Sequence, residues 1–433
     1  MSPPVDLVQS DTELPDRVRV VVIGGGIIGV TTALFLAEKG LSVVLCEKGR
    51  IGGEQSSRNW GWCRTMGRDV GEIPLAMESL RLWRGMNQRT GRDTGFRQPG
   101  ILYLCENENE VADQEAWLDQ AKLYQVESRM VRGAELDAVM PGASGRFVAG
   151  LHTPTDGRAE PSQAAPAIAE AARDHGARIF TNCAVRGIDL HNGRLTGVIT
   201  ERGRIRCDAA VLAGGAWSRL FAGNAGLDFP QLKVLGSVFR SAPLDGPEIS
   251  AAGSVFALRK RLDGGYSVAR RNANTAELTP DHFRLLSDFF PRLLANRHEI
   301  RLRLGSRTWE ELRTARHWSL DQTTPFEAVR VLDPRPKPGI LAEARDVLAR
   351  AFPIFANLRV AESWGGLMDV TPDAVPVIDE VKRIPGFFIA SGFSGHGFGI
   401  GPGAGRLTAD LVAGDAPVVD PSPFRLDRFA RAR

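Results

Sequence analysis

Val20-Val21-Val22-Ile23-Gly24-Gly25-Gly26-Ile27-Ile28-Gly29 is the stretch that decides the fold. The valine-rich run over 18–23 has the character of a strand buried on both faces of a parallel sheet. Residues 27–39 read as a helix stopped by Gly40, and 41–47 (LSVVLCE) as a second buried strand. Together they make a βαβ unit of about thirty residues. Gly24, Gly26 and Gly29 let the backbone turn tightly and approach a pyrophosphate seated on the positive helix N-terminus. Glu47, ending the second strand, is placed to accept hydrogen bonds from ribose hydroxyls. An acid there disfavours a 2′-phosphate, so NADP is the least suited dinucleotide. Residues 20–37 carry no charge and approach the length of a bilayer span. The three glycines break a helix there at about 1 kcal/mol each. Strand, turn and helix account for the run, and no transmembrane segment is expected.

Outward from this unit, 433 residues allow two or three domains, and 43% hydrophobic with 24% charged residues excludes a disordered chain. A net charge of +3 gives no sign of nucleic-acid binding. The basic residues are 47 Arg and only seven Lys, which codon bias in a GC-rich genome explains most simply. Five scattered cysteines without a CxxC pair argue against disulfides and zinc and for a reducing compartment. The first 17 residues are polar and lack a signal-peptide core, so a cytoplasmic location is expected. The histidines show no metal-ligand spacing, and no metal is expected.

Farther along, 52–69 reads as a loop, 72–87 as an amphipathic helix, and 111–125 as a satellite helix. A helix follows over 161–175, with Pro161 at its start. Strands are expected over 177–190, 195–201 and 205–212, with a type I′ turn at Asn192-Gly193. Short strands fill 231–268, turning at Gly264-Gly265, and 280–350 reads as mostly helical. A strand at 386–390 and a helix at 402–413, stopped by Gly414, close the chain.

Two distant segments separate a flavin from a nicotinamide. Residues 207–218 (CDAAVLAGGAWS) run from a strand into Gly214-Gly215, a second place for close backbone approach. Residues 392–405 (GFSGHGFGIGPGAG) carry a glycine density that reads as backbone laid against a flat ligand, not as core packing. Free N–H groups at the start of the last helix would favour negative charge on a flavin.

These segments, with DVTPDAVPVI at 369–378, resemble the D-amino-acid oxidase superfamily of FAD-dependent amine oxidoreductases, over nearly the whole chain. The C-terminal part is most similar to the gamma-glutamylputrescine oxidase branch. The resemblance implies an α/β fold (α+β overall): a Rossmann-like FAD-binding domain interleaved with a substrate domain of antiparallel sheet plus helices. The FAD pieces would be 17–92, 148–225 and 355–433, and the capping pieces 93–147 and 226–354. It implies oxidation of the C–N bond of an amine or amino acid by hydride transfer to flavin N5, then imine hydrolysis.

Members of the sarcosine-oxidase type attach flavin through a cysteine shortly before the TPD-like segment. Residues 364–371 (WGGLMDVT) hold none, so FAD is expected to be non-covalent. Several amino-acid oxidases place a carboxylate-clamping arginine there, where this chain has Met368. Either the substrate lacks an α-carboxylate, or another arginine serves: Arg58, Arg64, Arg270 or Arg271. A lysine near the flavin activates oxygen in sarcosine-oxidase-type members, and no lysine lies between Lys260 and Lys337. The acceptor is therefore O2, or a quinone or protein.

The expected cofactor contacts are Gly24, Gly26, Ile27, Ile28, Gly29, Glu47, Lys48, Ser56, Ser57, Arg58, Asn59, Trp60, Val185, Gly214, Gly215, Trp217, Gly365, Gly395, His396, Gly397, Phe398 and Gly399. Those expected at the reacting atoms are His396, Trp60, Arg270 and Met368. Competing readings are a non-catalytic flavin-binding subunit of a larger dehydrogenase and an NAD-linked dehydrogenase. Oligomerisation is left open.

Overall fold

The valine run forms the strand Arg17–Ile23, which lies inside an eight-stranded sheet. Along the main path the order is Val377–Glu380, Phe387–Ser391, Gly203–Leu212, Arg17–Ile23, Val43–Cys46, Arg178–Phe180. All neighbours from Phe387–Ser391 onward are parallel, and Arg194–Thr200 and Val185–His191 extend the sheet as antiparallel strands. This computed structural model describes residues 2–295 and 300–430. Burial on both faces explains why the central strand is a continuous apolar run. Gly24 follows its carboxyl end, the side on which open α/β sheets bind ligands.

The helix Ile27–Glu38 is buried from Ile27 through Ala37. It packs between Pro161–Asp174 and Gly397–Ala413, and a helix covered all round needs no polar face. Among the described residues no helix is long and apolar enough to cross a membrane.

The C-terminal glycine run corrects its sequence reading. Residues 397–405 belong to the helix Gly397–Ala413, which begins five residues earlier than expected, and most of these glycines are core packing. A Cβ on Gly405 would stand 2.3 Å from Thr31 Oγ1, and one on Gly401 would stand 2.8 Å from Ile27 Cγ1. On the adjoining face, Cβ atoms on Gly399 and Gly403 would meet the carbonyls of Trp62 and Leu75 at 2.5 and 2.7 Å. Glycines at every second position thus serve two faces, each pair four residues apart. Pro402 lacks an N–H, and beside it Ser79 enters the helix ladder. Its Oγ donates to Gly399 O (2.8 Å) and accepts from Gly403 N (3.2 Å). Gly405→Val should destabilise the fold by about 1–3 kcal/mol through overpacking, read as a lowered denaturant midpoint at unchanged m-value.

The described residues form a second, ten-stranded sheet. Its main path runs Ile300–Arg303, Asn274–Glu277, Leu232–Ser241, Tyr266–Arg270, Phe256–Lys260, Ser250–Ala252, Ile101–Cys105, Ala149–Thr153, Arg129–Val131. Val360–Val370 pairs with Leu232–Ser241 over ten residues. Ala149–Thr153 and Val360–Val370 therefore lie in this sheet, although the expected boundaries put them in the FAD pieces. The strand expected over 177–190 is two strands, Arg178–Phe180 and Val185–His191, and Ile300–Arg303 interrupts the expected helical region. Part of that region, 296–299, lies outside the described residues. The Asn192-Gly193 turn has positive φ at both residues (51° and 75°), as a type I′ hairpin requires.

Candidate active site

Three cavities join end to end between the sheets, with volumes of about 120, 80 and 210 Å³. Gly26 and Ser56 are shared by the outer and middle ones, and Asn59, Gly395 and Phe398 by the middle and inner ones.

The outer cavity is built on the opening βαβ unit. Gly24 has φ +111°, and a Cβ there would stand 2.5 Å from Ala213 O on the neighbouring crossover. Glu47 Oε2 accepts from Gly25 N and its Oε1 from Gly49 N, both at 2.7 Å. Burial raises its pKa, offset in part by Lys48 and these two N–H groups. Two of the carboxylate's lone-pair positions remain for a ligand. Lys48 Nζ pairs with Glu54 at 2.6 Å and lies over the Trp217 ring, and Trp217 Nε1 donates to the same Glu54. Val185, Gly214 and Gly215 complete this wall.

Ile27, Ile28 and Gly397 line the middle cavity. Ser56 Oγ accepts from Ile27 N (2.8 Å), holding the helix N-terminus beside the glycine turn. Asp369 Oδ2 gathers Gly392 N, Phe393 N and Ser391 Oγ, which fixes the loop leading to Gly395.

The inner cavity has walls of Trp60, Trp62, Val238, Met368 and Phe398. On Val360–Val370, strand alternation turns Gly366 and Met368 into it and Gly365 away; a Cβ on Gly365 would meet Pro334 O at 2.5 Å. Four arginines line it, Arg58, Arg64, Arg68 and Arg270, and among the described residues no Asp or Glu does. His396 Nε2 lies 2.8 Å from Glu72 Oε1. Burial and Arg68 lower the His396 pKa, so it stands as neutral imidazole with Nε2–H donating to the carboxylate. Burial opposes ionisation of Glu72, but His396, Arg68 and Arg64 outweigh it and hold its pKa below the ordinary value.

Three expected contacts do not line the cavities. Gly29 and Gly365 pack behind them, and Ser57 Oγ donates to Glu54 O. Arg58 touches the inner cavity, but its guanidinium is committed to Asp333 (2.8 Å), Gly365 O and Ser2 Oγ. Asn59 likewise spends its amide on its own turn, donating to Gln55 O and Ser56 O and accepting from Gly61 N. Arg271 stacks on Tyr103, with 4.8 Å from its Cζ to the ring, and does not line the inner cavity. Sequence reasoning missed Gln55, which borders all three cavities with a buried, unpaired Oε1, as well as Glu54, Glu72 and Arg68. Each sits in a stretch whose local pattern reads only as polar loop or helix start.

An acid with free lone pairs, a glycine turn at a helix N-terminus and an aromatic inner chamber in series fit an extended adenine dinucleotide with a substrate beyond it. Residues 19–411 match the FAD dependent oxidoreductase (DAO) family. The chain belongs to this family of FAD-dependent amine and amino-acid oxidoreductases. It is 34% identical to L-amino acid deaminase from Proteus myxofaciens, a structure solved in complex with anthranilate. That likeness covers 99% of this chain and 97% of that one, with a TM-score of 0.95. It is also 26% identical to sarcosine oxidase subunit beta from Arthrobacter sp, over 95% of this chain and 90% of the relative. Against 4-methylaminobutanoate oxidase (formaldehyde-forming) of Paenarthrobacter nicotinovorans the identity is 26%, and the chain spans about half (47%) of that protein's length. FAD is thus the cofactor of the family, and the nicotinamide reading falls away.

Proposed function

We propose that this protein oxidises the C–N bond of an amino acid, an amine that carries a carboxylate, to an imine that water then hydrolyses. The observation that carries this reading is the inner cavity's lining: four arginines, of which Arg68 has no ion-pair partner among the described residues, and no Asp or Glu among those residues. The absence of an arginine at Met368 left the carboxylate without its usual partner, and Arg64, Arg68 and Arg270 supply alternatives. Bound FAD would accept the two electrons as a hydride from the amine-bearing carbon. Gly26, Glu47, Lys48, Ser56 and Trp217 would hold its nucleotide half, and Trp60, Gly395 and Phe398 would border its reactive half. The positive chamber disfavours a charged ammonium, so it promotes the neutral amine that the reaction needs. The apolar walls exclude water and suit an apolar side chain. Likeness to an amino-acid deaminase over nearly all of both chains favours this over the gamma-glutamylputrescine oxidase branch.

All five cysteines are buried, and none lines the inner cavity, which supports non-covalent FAD. None of the seven lysines lines it either; Lys233 is paired with Glu311 and Lys260 with Leu244 O. That supports a quinone or protein acceptor over O2.

Anaerobic mixing of the holoprotein with amino acids, N-methyl amino acids and simple amines tests the whole reading. Apolar amino acids should bleach the 450 nm band, glycine poorly, and amines without a carboxylate least. Admitting air should restore the colour slowly. Faster bleaching by amines without a carboxylate would sink the amino-acid assignment, and flavin that no amine reduces would favour the non-catalytic subunit.

A further inference from the structure

Of the four arginines around the inner cavity, three already have polar partners. Arg58 is paired with Asp333, and Arg64 donates to Met66 O and lies over the Tyr103 ring. Arg270 donates to the carbonyls of Val255 and Arg271, and Glu343 lies 3.7 Å from its Nε. Arg68 is different. It is only 5% exposed, and among the described residues no atom of its guanidinium has a hydrogen-bond or ion-pair partner; an unpaired Nε is shared by Arg58 and Arg270, but their other guanidinium nitrogens are engaged. An unpaired charge at that burial is strongly unfavourable unless something else meets it.

The surroundings keep Arg68 in place rather than letting it relax. Asp156 accepts from Thr65 N (2.8 Å), Thr65 Oγ1 (2.9 Å) and Met66 N (3.2 Å), which pins the start of the loop. Arg68 N donates to Thr65 O, and Trp117 Nε1 donates to Arg68 O (2.9 Å), so its backbone is held from both sides. The acid four residues along, Glu72, is 2% exposed and would be the natural partner. It is bonded to His396 instead. His396 in turn starts the helix Gly397–Ala413 and borders the same cavity as Arg68.

We propose that Arg68 grips the substrate carboxylate, and that His396 is the positioning residue that keeps Glu72 away from it. The guanidinium offers a fork of donors that a carboxylate matches in two places, and a buried site makes that match selective. His396 spends Glu72's charge on a neutral imidazole donor, so the arginine stays free to be neutralised by the ligand. This rests on the inner cavity being the substrate chamber, but binding of a carboxylate does not depend on which amine is oxidised.

The test is calorimetric binding of benzoate, with uncharged benzamide as control, to the holoprotein. Wild type should bind benzoate and strongly prefer it to benzamide. Arg68→Gln should weaken benzoate by about 10- to 100-fold, the scale of a lost charged hydrogen bond, and leave benzamide nearly unchanged. Arg68→Lys should recover part of the loss. His396→Phe should weaken benzoate by about 10-fold as Glu72 turns to Arg68. Adding Glu72→Gln to His396→Phe should restore binding, which a merely structural role for His396 does not predict. Benzoate binding unchanged in Arg68→Gln, or absent in wild type, overturns the anchor. Failure of the double variant to restore binding overturns the role of His396. A panel in which no amino acid bleaches the flavin would overturn the proposed reaction and leave the benzoate result standing.

Discussion

Gly29→Ala should yield protein purified without its yellow colour, with FAD affinity reduced by at least about 100-fold, or roughly 2.7 kcal/mol. A Cβ at Gly29 would stand 1.9 Å from Gly24 O and 3.0 Å from Gly24 C. Both obstacles are backbone, so no side-chain rotation relieves the clash, and either the glycine turn or the helix Ile27–Glu38 must move. The turn carries Gly25 N, which is bonded to Glu47 Oε2, and Gly26, which borders two of the three cavities. A displacement of about 1 Å there therefore misplaces both the pyrophosphate seat and the ribose acid, each of which depends on hydrogen-bond geometry. The ratio of 450 to 280 nm absorbance and a titration of apoprotein with FAD measure the effect. Gly85→Ala is the matched control: it lies within the helix Ile73–Thr90 with nothing within 4 Å of its added Cβ. That change should leave FAD content intact and raise stability by about 0.5–1 kcal/mol. Equal FAD retention by the two variants would remove the packing role assigned to Gly29.

This unit was legible in the sequence because everything it needs lies within thirty residues: strand, glycines, helix, strand and acid. The C-terminal glycines were misread because the pattern G-x-G-x-G says nothing of what stands opposite. In a helix, positions 401 and 405 face Thr31 and Ile27 while 399 and 403 face Leu75 and Trp62, contacts that join residues over 300 positions apart. Among residues 392–405, the loop over 393–396 and the first turn of the helix reach the cavities and the later glycines do not, so the sequence pointed to the right segment for partly the wrong reason. Arg68 was hidden in the same way. It reads as one charge in an exposed loop (GRDVGE), and its burial depends on Asp156, nearly ninety residues away, and on Trp117. Val360–Val370 was quoted for its TPD-like neighbour, while its pairing with Leu232–Ser241, which aims Met368, is long-range and invisible locally.

The largest expected effect on stability belongs to Glu160 and Arg259, whose side chains are 5% and 0% exposed. Arg259 Nη1 donates to Glu160 Oε1 (2.8 Å) and Nη2 to Oε2 (3.2 Å), a forked pair. The pair joins the start of the helix Pro161–Asp174 to the strand Phe256–Lys260, and so one sheet system to the other. Leu262 N also donates to Glu160 Oε1 (2.9 Å). Glu160→Gln removes the charge that compensates a fully buried guanidinium, and should cost about 3–5 kcal/mol in urea unfolding. Burial alone would raise the Glu160 pKa, but Arg259 overrides it and holds the group below the ordinary glutamate value. The folded state thus binds this proton less readily than the unfolded chain. The pair's contribution is present above the ordinary glutamate pKa and is lost as pH falls through the lower folded value. At acid pH the wild type and Glu160→Gln should accordingly converge. Replacing both residues, as Glu160→Leu with Arg259→Met, should recover much of the stability, because apolar groups of similar size often match a buried ion pair. FAD content and turnover should not recover with it. A Cβ on Gly61 would lie 3.0 Å from Arg259 Cζ, so the guanidinium is the surface against which the Asn59–Gly61 turn rests, and that turn aims Trp60 and Trp62 into the inner cavity. Stability and cofactor content restored together would mean that the pair only fastens the two sheets. Stability restored alone would mean that the charge is retained to shape the chamber.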